Sequence, residues 1–305
     1  MSEPLIDMRA WKQFAAVAQE LHFGRAAQRL HITQPPLTQA IAGLEKKLGL
    51  RLFDRNKRSV QLTAAGRALL PQVLDLLERA QLLPGHARAA AAGELGRLRL
   101  AFVSTVGFGP LPQWVRAFRA ELPGVQLELI EATGDVQLEA LQRGDIDAGL
   151  LLHAPGQAPP ALERLRVASE PLVLALPEHH ALATGAALDW PMLLDEPLVI
   201  FPRRILVSLY DAIAALYHAA GREPRVAQEA IQMQTIVNLV SAELGVAWVP
   251  ASVRQFQRPG VVYREVPADA GVPHCETSLV WRDAAPSVPA LARWIDFVRA
   301  ALPVP

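Results

Sequence analysis

The sequence predicts an α/β chain in three parts: an N-terminal winged helix-turn-helix, a long connecting helix, and a C-terminal region of two α/β lobes. Three observations carry this. Residues 22–53 spell two short helices around a tight turn. Residues 64–92 hold an apolar stripe at helical spacing. From Arg97 onward, short apolar runs alternate with helical stretches.

The first part opens with a helix over about 7–21, marked by Met8, Trp11, Phe14, Ala15, Ala18 and Leu21 on one face. The next helix presents Ala26, Ala27 and Leu30, small enough for close approach to a neighbour. A third begins near Thr33 or Gln34, so Pro35 and Pro36 fall in its first turn, where a missing N–H breaks no internal bond. Leu37, Ile41, Leu44 and Leu48 form its buried stripe. Its outward side carries Gln34, Thr38 and Gln39, whose amide and hydroxyl groups suit base edges in a major groove. After it, 51–55 and 59–62 alternate like strands around an Asn56-Lys57 turn. That hairpin is a candidate wing, with Arg55, Lys57 and Arg58 at its tip.

Charge is distributed unevenly. Residues 1–64 hold ten Lys and Arg against five Asp and Glu, a net +5; residues 65–305 carry the opposite −5, and the whole chain is neutral. All four lysines, Lys12, Lys46, Lys47 and Lys57, lie in the first part. A basic module beside a groove-sized helix is the electrostatic footprint of double-stranded DNA binding. Lys12, Arg25, Arg55, Lys57 and Arg58 are the expected phosphate contacts; Gln34, Pro35, Thr38 and Gln39 are expected to face bases.

In the connecting helix, capped by Thr63, residues Leu69, Val73, Leu76, Ala80 and Leu83 recur at the spacing of a coiled-coil seam, which predicts pairing with a second copy. Pro71 predicts a slight kink. Pro84-Gly85 predicts a break, with the helix stopping near Leu83 and restarting over 87–92. Strands are expected at 98–103, 125–130, 147–152, 171–176, 198–201, 226–230, 245–249, 261–266 and 277–281. Helices are expected at 112–121, 136–143, 206–220, 235–243 and 289–302. This alternation predicts parallel sheets, divided into two lobes by crossovers near 167–170 and 267–272.

In open α/β sheets, ligands lie beyond the carboxyl ends of strands, where helix N-termini point free N–H groups. Ser104 and Thr105 follow the first strand of this region, Thr133 the second, and Phe201, Pro202, Arg203 and Arg204 a third. Together they suit an anionic group, most simply a carboxylate, with Phe108, Phe201 and Ile205 walling an apolar body. Asp145 and Asp147, two apart at a strand entrance, read as turn and cap residues.

The ordered string His22-Phe-Gly-Arg-Ala-Ala, Leu30-His-Ile-Thr-Gln-Pro-Pro-Leu-Thr-Gln-Ala-Ile41, Leu44-Glu45, Leu48-Gly49 and Leu52-Phe53 resembles the LysR-type transcriptional regulators closely over 6–66. The resemblance implies a ligand-responsive promoter-binding protein whose C-terminal part is a periplasmic-binding-protein-like (type 2) clamshell. It also implies antiparallel pairing of the linker helices, a homodimer or homotetramer, and RNA polymerase as a further partner; the absence of a secretory pattern and of a long apolar run leads to an expected place in the cytoplasm. The expected divisions are 6–64 for DNA binding, 65–93 for the linker and 94–305 for the effector domain, with lobes 94–167 plus 271–305 and 168–270. Phe102-Val-Ser-Thr, Gly109-Pro-Leu-Pro112, Ile146-Asp-Ala-Gly149 and Val249-Pro-Ala-Ser252 resemble the aromatic-catabolism branch, which responds to benzoate- or muconate-like acids. One departure stands out: where that branch often carries an arginine after Asp-Ala-Gly, this chain has Leu150-Leu-Leu152. The carboxylate partner is then Arg203 or Arg204, or the effector is less acidic or bound differently.

Two other readings were weighed: a solute-binding module whose N-terminal part serves another purpose, and an α/β enzyme fused to a DNA-binding part. The start of the chain shows no secretory pattern, no run of eighteen apolar residues appears, and no nucleophile elbow, phosphate loop or His-Glu-x-x-His motif is present. Catalytic residues, metal and cofactor are therefore expected to be none. The lone Cys275 excludes an internal disulfide. Adjacent His179 and His180 point different ways on a loop and do not form a metal site.

Overall fold

The computed structural model describes residues 5–55, 59–184, 188–266, 271–283 and 288–302. It comprises two compact units, Met1–Arg88 and Ala89–Pro305.

The first unit begins with α1 (Met8–Glu20), α2 (Phe23–Arg29) and α3 (Gln34–Leu48). Asp7 caps α1 by accepting the Arg9 N–H at 2.9 Å. His22 caps α2 through Nδ1, which accepts the Arg25 N–H at 3.2 Å. Pro35 and Pro36 sit in the first turn of α3, and Gly49 ends it at φ 67°, a left-handed conformation that suits glycine. Leu37, Ile41 and Leu44 are buried against Phe14, Val17, Ala26 and Phe53. Strands β1 (Phe53–Arg55) and β2 (Val60–Leu62) pair antiparallel as the wing.

Helix α4 (Ala64–Ala91) runs 28 residues, with Thr63 Oγ1 accepting the Gly66 N–H at 3.0 Å. Both prolines lie inside it. The break expected at Pro84-Gly85 is absent. Each proline deletes one ladder bond and crowds the carbonyl four residues back, and the Leu- and Ala-rich turns on either side favour helix strongly enough to carry it through. The expected seam is also divided. Val73 is buried, and Leu69, Leu70 and Leu77 pack on the unit's own core. Leu74, Leu76, Leu82 and Leu83 are 37–63% exposed. Spacing alone cannot separate these stripes, because 3.5- and 3.6-residue periods barely diverge over four turns.

The second unit carries β3 (Gly96–Phe102), α5 (Leu111–Glu121), β4 (Val125–Glu131), α6 (Gly134–Arg143), β5 (Ala148–His153) and the 15-residue β6 (Glu163–Pro177). There follow α7 (Trp190–Asp195), β7 (Leu198–Ile200), α8 (Val207–Ala219), β8 (Val226–Glu229), α9 (Met233–Ser241), β9 (Ala247–Pro250), β10 (Val261–Arg264), β11 (His274–Trp281) and α10 (Pro289–Ala301). The main sheet is mixed, correcting the parallel expectation. β3 pairs parallel with β4 and β5, whereas β11 runs antiparallel to β5 and β6. The second half of β6 pairs antiparallel with β9 and β10. Residues 167–170, expected as a crossover, are strand, as are 163–166 before them. Their apolar alternation is faint because that half of β6 keeps one side in solvent.

Each lobe has its own core. In the first, Phe118 of α5 meets Trp294 of α10 edge-on at 4.9 Å, over Leu98 and Leu100. In the second, Leu174, Leu176, Ile213, Tyr217, Val237 and Trp248 cluster. β6 and β11 run between the lobes: β11 pairs with β5 and β6, and β6 continues to β9 and β10. Cys275 is fully buried there, and burial pushes its thiol above the ordinary range, which disfavours the thiolate. Asp147 accepts the Arg99 N–H at 2.7 Å and pairs with the Arg99 guanidinium at 2.7 Å, so it ties the start of β5 to β3 where a turn or cap residue was expected. Asp145 pairs with Arg143.

Candidate functional site

The first candidate surface is the start of α3. Gln34, Pro35 and Gln39 are exposed, and Thr38 is half-buried with its hydroxyl donating to the Gln34 carbonyl at 3.1 Å. Thr38 therefore presents lone pairs and a methyl group outward, while Gln34 and Gln39 keep whole amides free for base edges. Because Leu37, Ile41 and Leu44 are locked in the core, this polar face has a fixed orientation.

The cations divide. Lys12 is exposed on α1. Arg25 is 59% exposed, but donates to the Glu20 carbonyl at 2.6 Å and contacts its carboxylate. Arg55 is held: it pairs with Glu45 at 2.8 Å and lies 4.8 Å over the Phe23 ring. Lys57 and Arg58 lie outside the described residues. Sequence reasoning missed the part played by Glu45. Its Oε1 accepts the Leu52 and Phe53 N–H groups at 2.8 and 3.1 Å, while Oε2 takes Arg55. One carboxylate on the recognition helix thus clamps the first wing strand. A Glu in the last turns of a helix gives no sign of this in sequence.

The second candidate site is a cavity of about 520 Å³, including its open mouth, between the two lobes. Val103, Ser104 and Thr105 reach it from the end of β3; Ala132, Thr133 and Gly134 from the end of β4; Leu152 from β5. Phe201, Ile205 and Leu206 follow β7, and Ile231, Gln232 and Met233 follow β8. Every contributor sits at the carboxyl end of a strand, the position such sheets reserve for ligands. Thr133 and Gln232 are the N-caps of α6 and α9, and neither side chain caps its own helix. Both helices therefore begin at this cavity with first-turn N–H groups that lack an intrahelical acceptor. The Thr105 hydroxyl is buried and has no hydrogen-bond partner. It is a polar atom awaiting something the protein does not provide.

Ser104, Thr105, Thr133 and Phe201 thus line the cavity. Pro202, Arg203 and Arg204 do not, which corrects the expected anion partners. Arg203 turns away to Asp211, with Nε and Nη2 donating at 2.6 and 2.8 Å, and holds that carboxyl below its ordinary range. Arg204 lines a neighbouring outer groove with Asp135, His153 and Asp211. A 3-10 turn over Arg203–Ile205 rotates both arginines outward and sends Ile205 inward. Phe108 contacts Phe256 at 6.1 Å instead of walling the cavity. Gln232 and Met233 were missed, although a helix start following a short strand was the available signal. Among the described residues no cluster could hold a metal ion, and no helix is long and apolar enough to cross a membrane.

Comparison with known proteins covers both units. Residues 8–67 match the family model for bacterial regulatory helix-turn-helix proteins of the lysR family, and residues 91–303 match the LysR substrate binding domain. The HTH-type transcriptional regulator IlvR of Caulobacter vibrioides is 47% identical over 293 residues, spanning 95% of this chain and 97% of its own. TfdS of Cupriavidus pinatubonensis is 36% identical over 295 residues, spanning 96% and 98%. Among solved structures, full-length CbnR complexed with its target DNA superposes with a TM-score of 0.80 at 32% identity, covering 97% of this chain and 99% of that one.

Proposed function

The chain belongs to the LysR family of DNA-binding transcriptional regulators, and from that premise we propose how its surfaces share the work. It is a regulator with a ligand-binding domain rather than an enzyme. Gln34, Pro35, Thr38 and Gln39 read bases. Lys12 and Arg25 sit on phosphates with Lys57 and Arg58, and Arg55 braces the wing. The exposed leucines of α4 pair two copies, and two such dimers make a tetramer acting in the cytoplasm, with RNA polymerase as a partner on the promoter. We assign DNA binding to 6–64, pairing to 65–93 and effector binding to 94–305, with lobes 94–167 plus 271–305 and 168–270.

The effector is a small carboxylic acid, aromatic or dienoic in size and shape, in keeping with the aromatic-catabolism branch. The observation that supports this is the meeting of three uncapped helix N-termini, at Thr133, Leu206 and Gln232, with the orphan Thr105 hydroxyl on a mostly apolar cavity. Binding closes the lobes about β6 and β11. It shifts the regulator only as far as its affinity differs between open and closed arrangements.

Replacing Gln34 with alanine tests the base-reading role. Affinity for the promoter beside its own gene should fall by about 1–3 kcal/mol relative to random DNA in a gel-shift titration. An unchanged ratio removes Gln34 from readout. Arg203→Ala should leave benzoate affinity within about twofold in calorimetry, since an exposed pair away from the cavity contributes little. A tenfold loss would return Arg203 to the effector site.

A further inference from the structure

We infer that Gln137 is the positioning residue of the effector cavity: its buried side-chain amide ties the ends of β3 and β4 to β5, and so sets the spacing of Thr105 and Thr133 without touching a ligand. This role rests on the reading that the effector occupies the cavity between the lobes, and it adds what fixes that cavity's shape.

Gln137 sits one turn into α6, fully buried, and is not among the residues that line the cavity. Its Nε2 donates to the Ala132 carbonyl at 2.8 Å and, more weakly, to the Leu150 carbonyl at 3.4 Å. Ala132 follows β4 and Leu150 lies in β5, and β3 runs between those two strands. The same Leu150 carbonyl accepts the Val103 N–H at 3.3 Å, and the Ala132 N–H donates to the Phe102 carbonyl at 3.0 Å. The Gln137 N–H donates to the Thr133 carbonyl at 2.9 Å. One side chain therefore closes a ring of hydrogen bonds that joins the end of β3, the end of β4, the middle of β5 and the first turn of α6. Val103, Thr105, Ala132 and Thr133 line the cavity, so any slackening of the ring shifts the two halves of the site against each other.

Two features mark the amide as kept for its donors and not for its bulk. Both of its contacts are carbonyl oxygens, so the nitrogen must face them. The Gln137 oxygen is then left buried with no hydrogen-bond partner, a state that costs stability and that an apolar side chain of similar volume would avoid. The second feature is the room made for that oxygen on β5. A Cβ at Gly149 would lie 2.5 Å from Gln137 Oε1. Gly149 does not adopt the left-handed backbone that calls for glycine elsewhere in the chain, so space is what requires it. The glycine that ends Ile146-Asp-Ala-Gly149 thus accommodates the Gln137 amide.

The test substitutes Gln137→Met, which keeps length and bulk and removes both donors. In the ligand-free full-length protein, hydrogen exchange read by mass spectrometry should quicken by at least about tenfold in peptides containing Val103, Ala132 and Gln137, with α5 and α10 unchanged. No change, as a space-filling residue would give, or an equal rise throughout the lobe, as general destabilisation would give, overturns the inference. Calorimetric titration should show benzoate and hexa-2,4-dienoate weakened by at least about tenfold, the worth of one hydrogen bond. Unchanged affinity in a folded variant also overturns it. If neither acid binds the wild type, the carboxylic-acid reading alone fails, and the exchange comparison, which needs no ligand, decides the role of Gln137. Gly149→Ala provides a second route should the methionine variant not fold, because the added methyl displaces the amide from its carbonyls. The same local rise in exchange is expected there, and its absence overturns the inference. Gln137→Ala empties that space and should abolish most of the effect of Gly149→Ala; equal effects in both backgrounds overturn the link between the two residues.

Discussion

Replacing Glu45 with alanine should lower the stability of the N-terminal unit by about 3 kcal/mol and weaken DNA binding at specific and random sites alike. The carboxylate is mostly buried and accepts three donors: two backbone N–H groups at the first wing strand and the Arg55 guanidinium. Hydrogen bonds to a charged acceptor contribute about 1.5–3 kcal/mol each, and the abandoned N–H groups of buried Leu52 and Phe53 would have nothing nearby to replace it. The alanine variant also frees Arg55 from one of its two anchors, so the wing loses its fixed distance from α3. Glu45→Gln separates the contributions. Its amide oxygen still accepts the backbone N–H groups, while the ion pair is lost, so it should recover more than half of the stability. Urea unfolding of the full-length variants, followed by gel shifts on promoter and random DNA, measures both effects. A stability loss below about 1 kcal/mol for alanine would show that the clamp is replaceable by water.

Thr105→Val should have two opposite effects. The Thr105 hydroxyl is buried with no partner, a state that costs about 1–3 kcal/mol, so the near-isosteric valine should stabilise the unliganded protein by about 1 kcal/mol. On the proposed effector reading, the same hydroxyl donates to the bound carboxylate. Its removal should weaken benzoate or hexa-2,4-dienoate by about 10- to 100-fold, the worth of one hydrogen bond to a charged group. Thermal unfolding without ligand and calorimetric titration with it read the two signs separately. A variant that is more stable and binds just as well would mean that the hydroxyl points at no ligand. A variant that is less stable would mean that the group already has a partner within the folded protein. Sites that sacrifice stability for recognition behave in this crossed manner.

The recognition helix was legible because its determinants are local. Two prolines at a helix start, a Leu37, Ile41, Leu44 stripe and polar residues opposite are readable from spacing, and they place Gln34 and Gln39 outward before any coordinates exist. The strand ends that build the cavity were legible for the same reason, and Ser104, Thr105, Thr133 and Phe201 do meet there. The arginines were misplaced because proximity in sequence does not give direction. A single 3-10 turn decides that Ile205 faces the ligand space and Arg203 faces Asp211. The α4 stripe was only half legible, since its apolar residues serve two partners, the unit's own core and the outside.

By itself the sequence determined the order of parts, the outward polar face of α3 and the absence of a cation after Asp147-Ala-Gly149. All of these follow from residue type and periodicity, which act within a few turns of chain. Only the tertiary structure decided which side chains share a space: Glu45 with the wing, Arg203 with Asp211, and Thr105 with three helix starts farther along the chain. Such meetings depend on how distant elements pack, and packing is set by the summed burial of whole cores rather than by any short stretch.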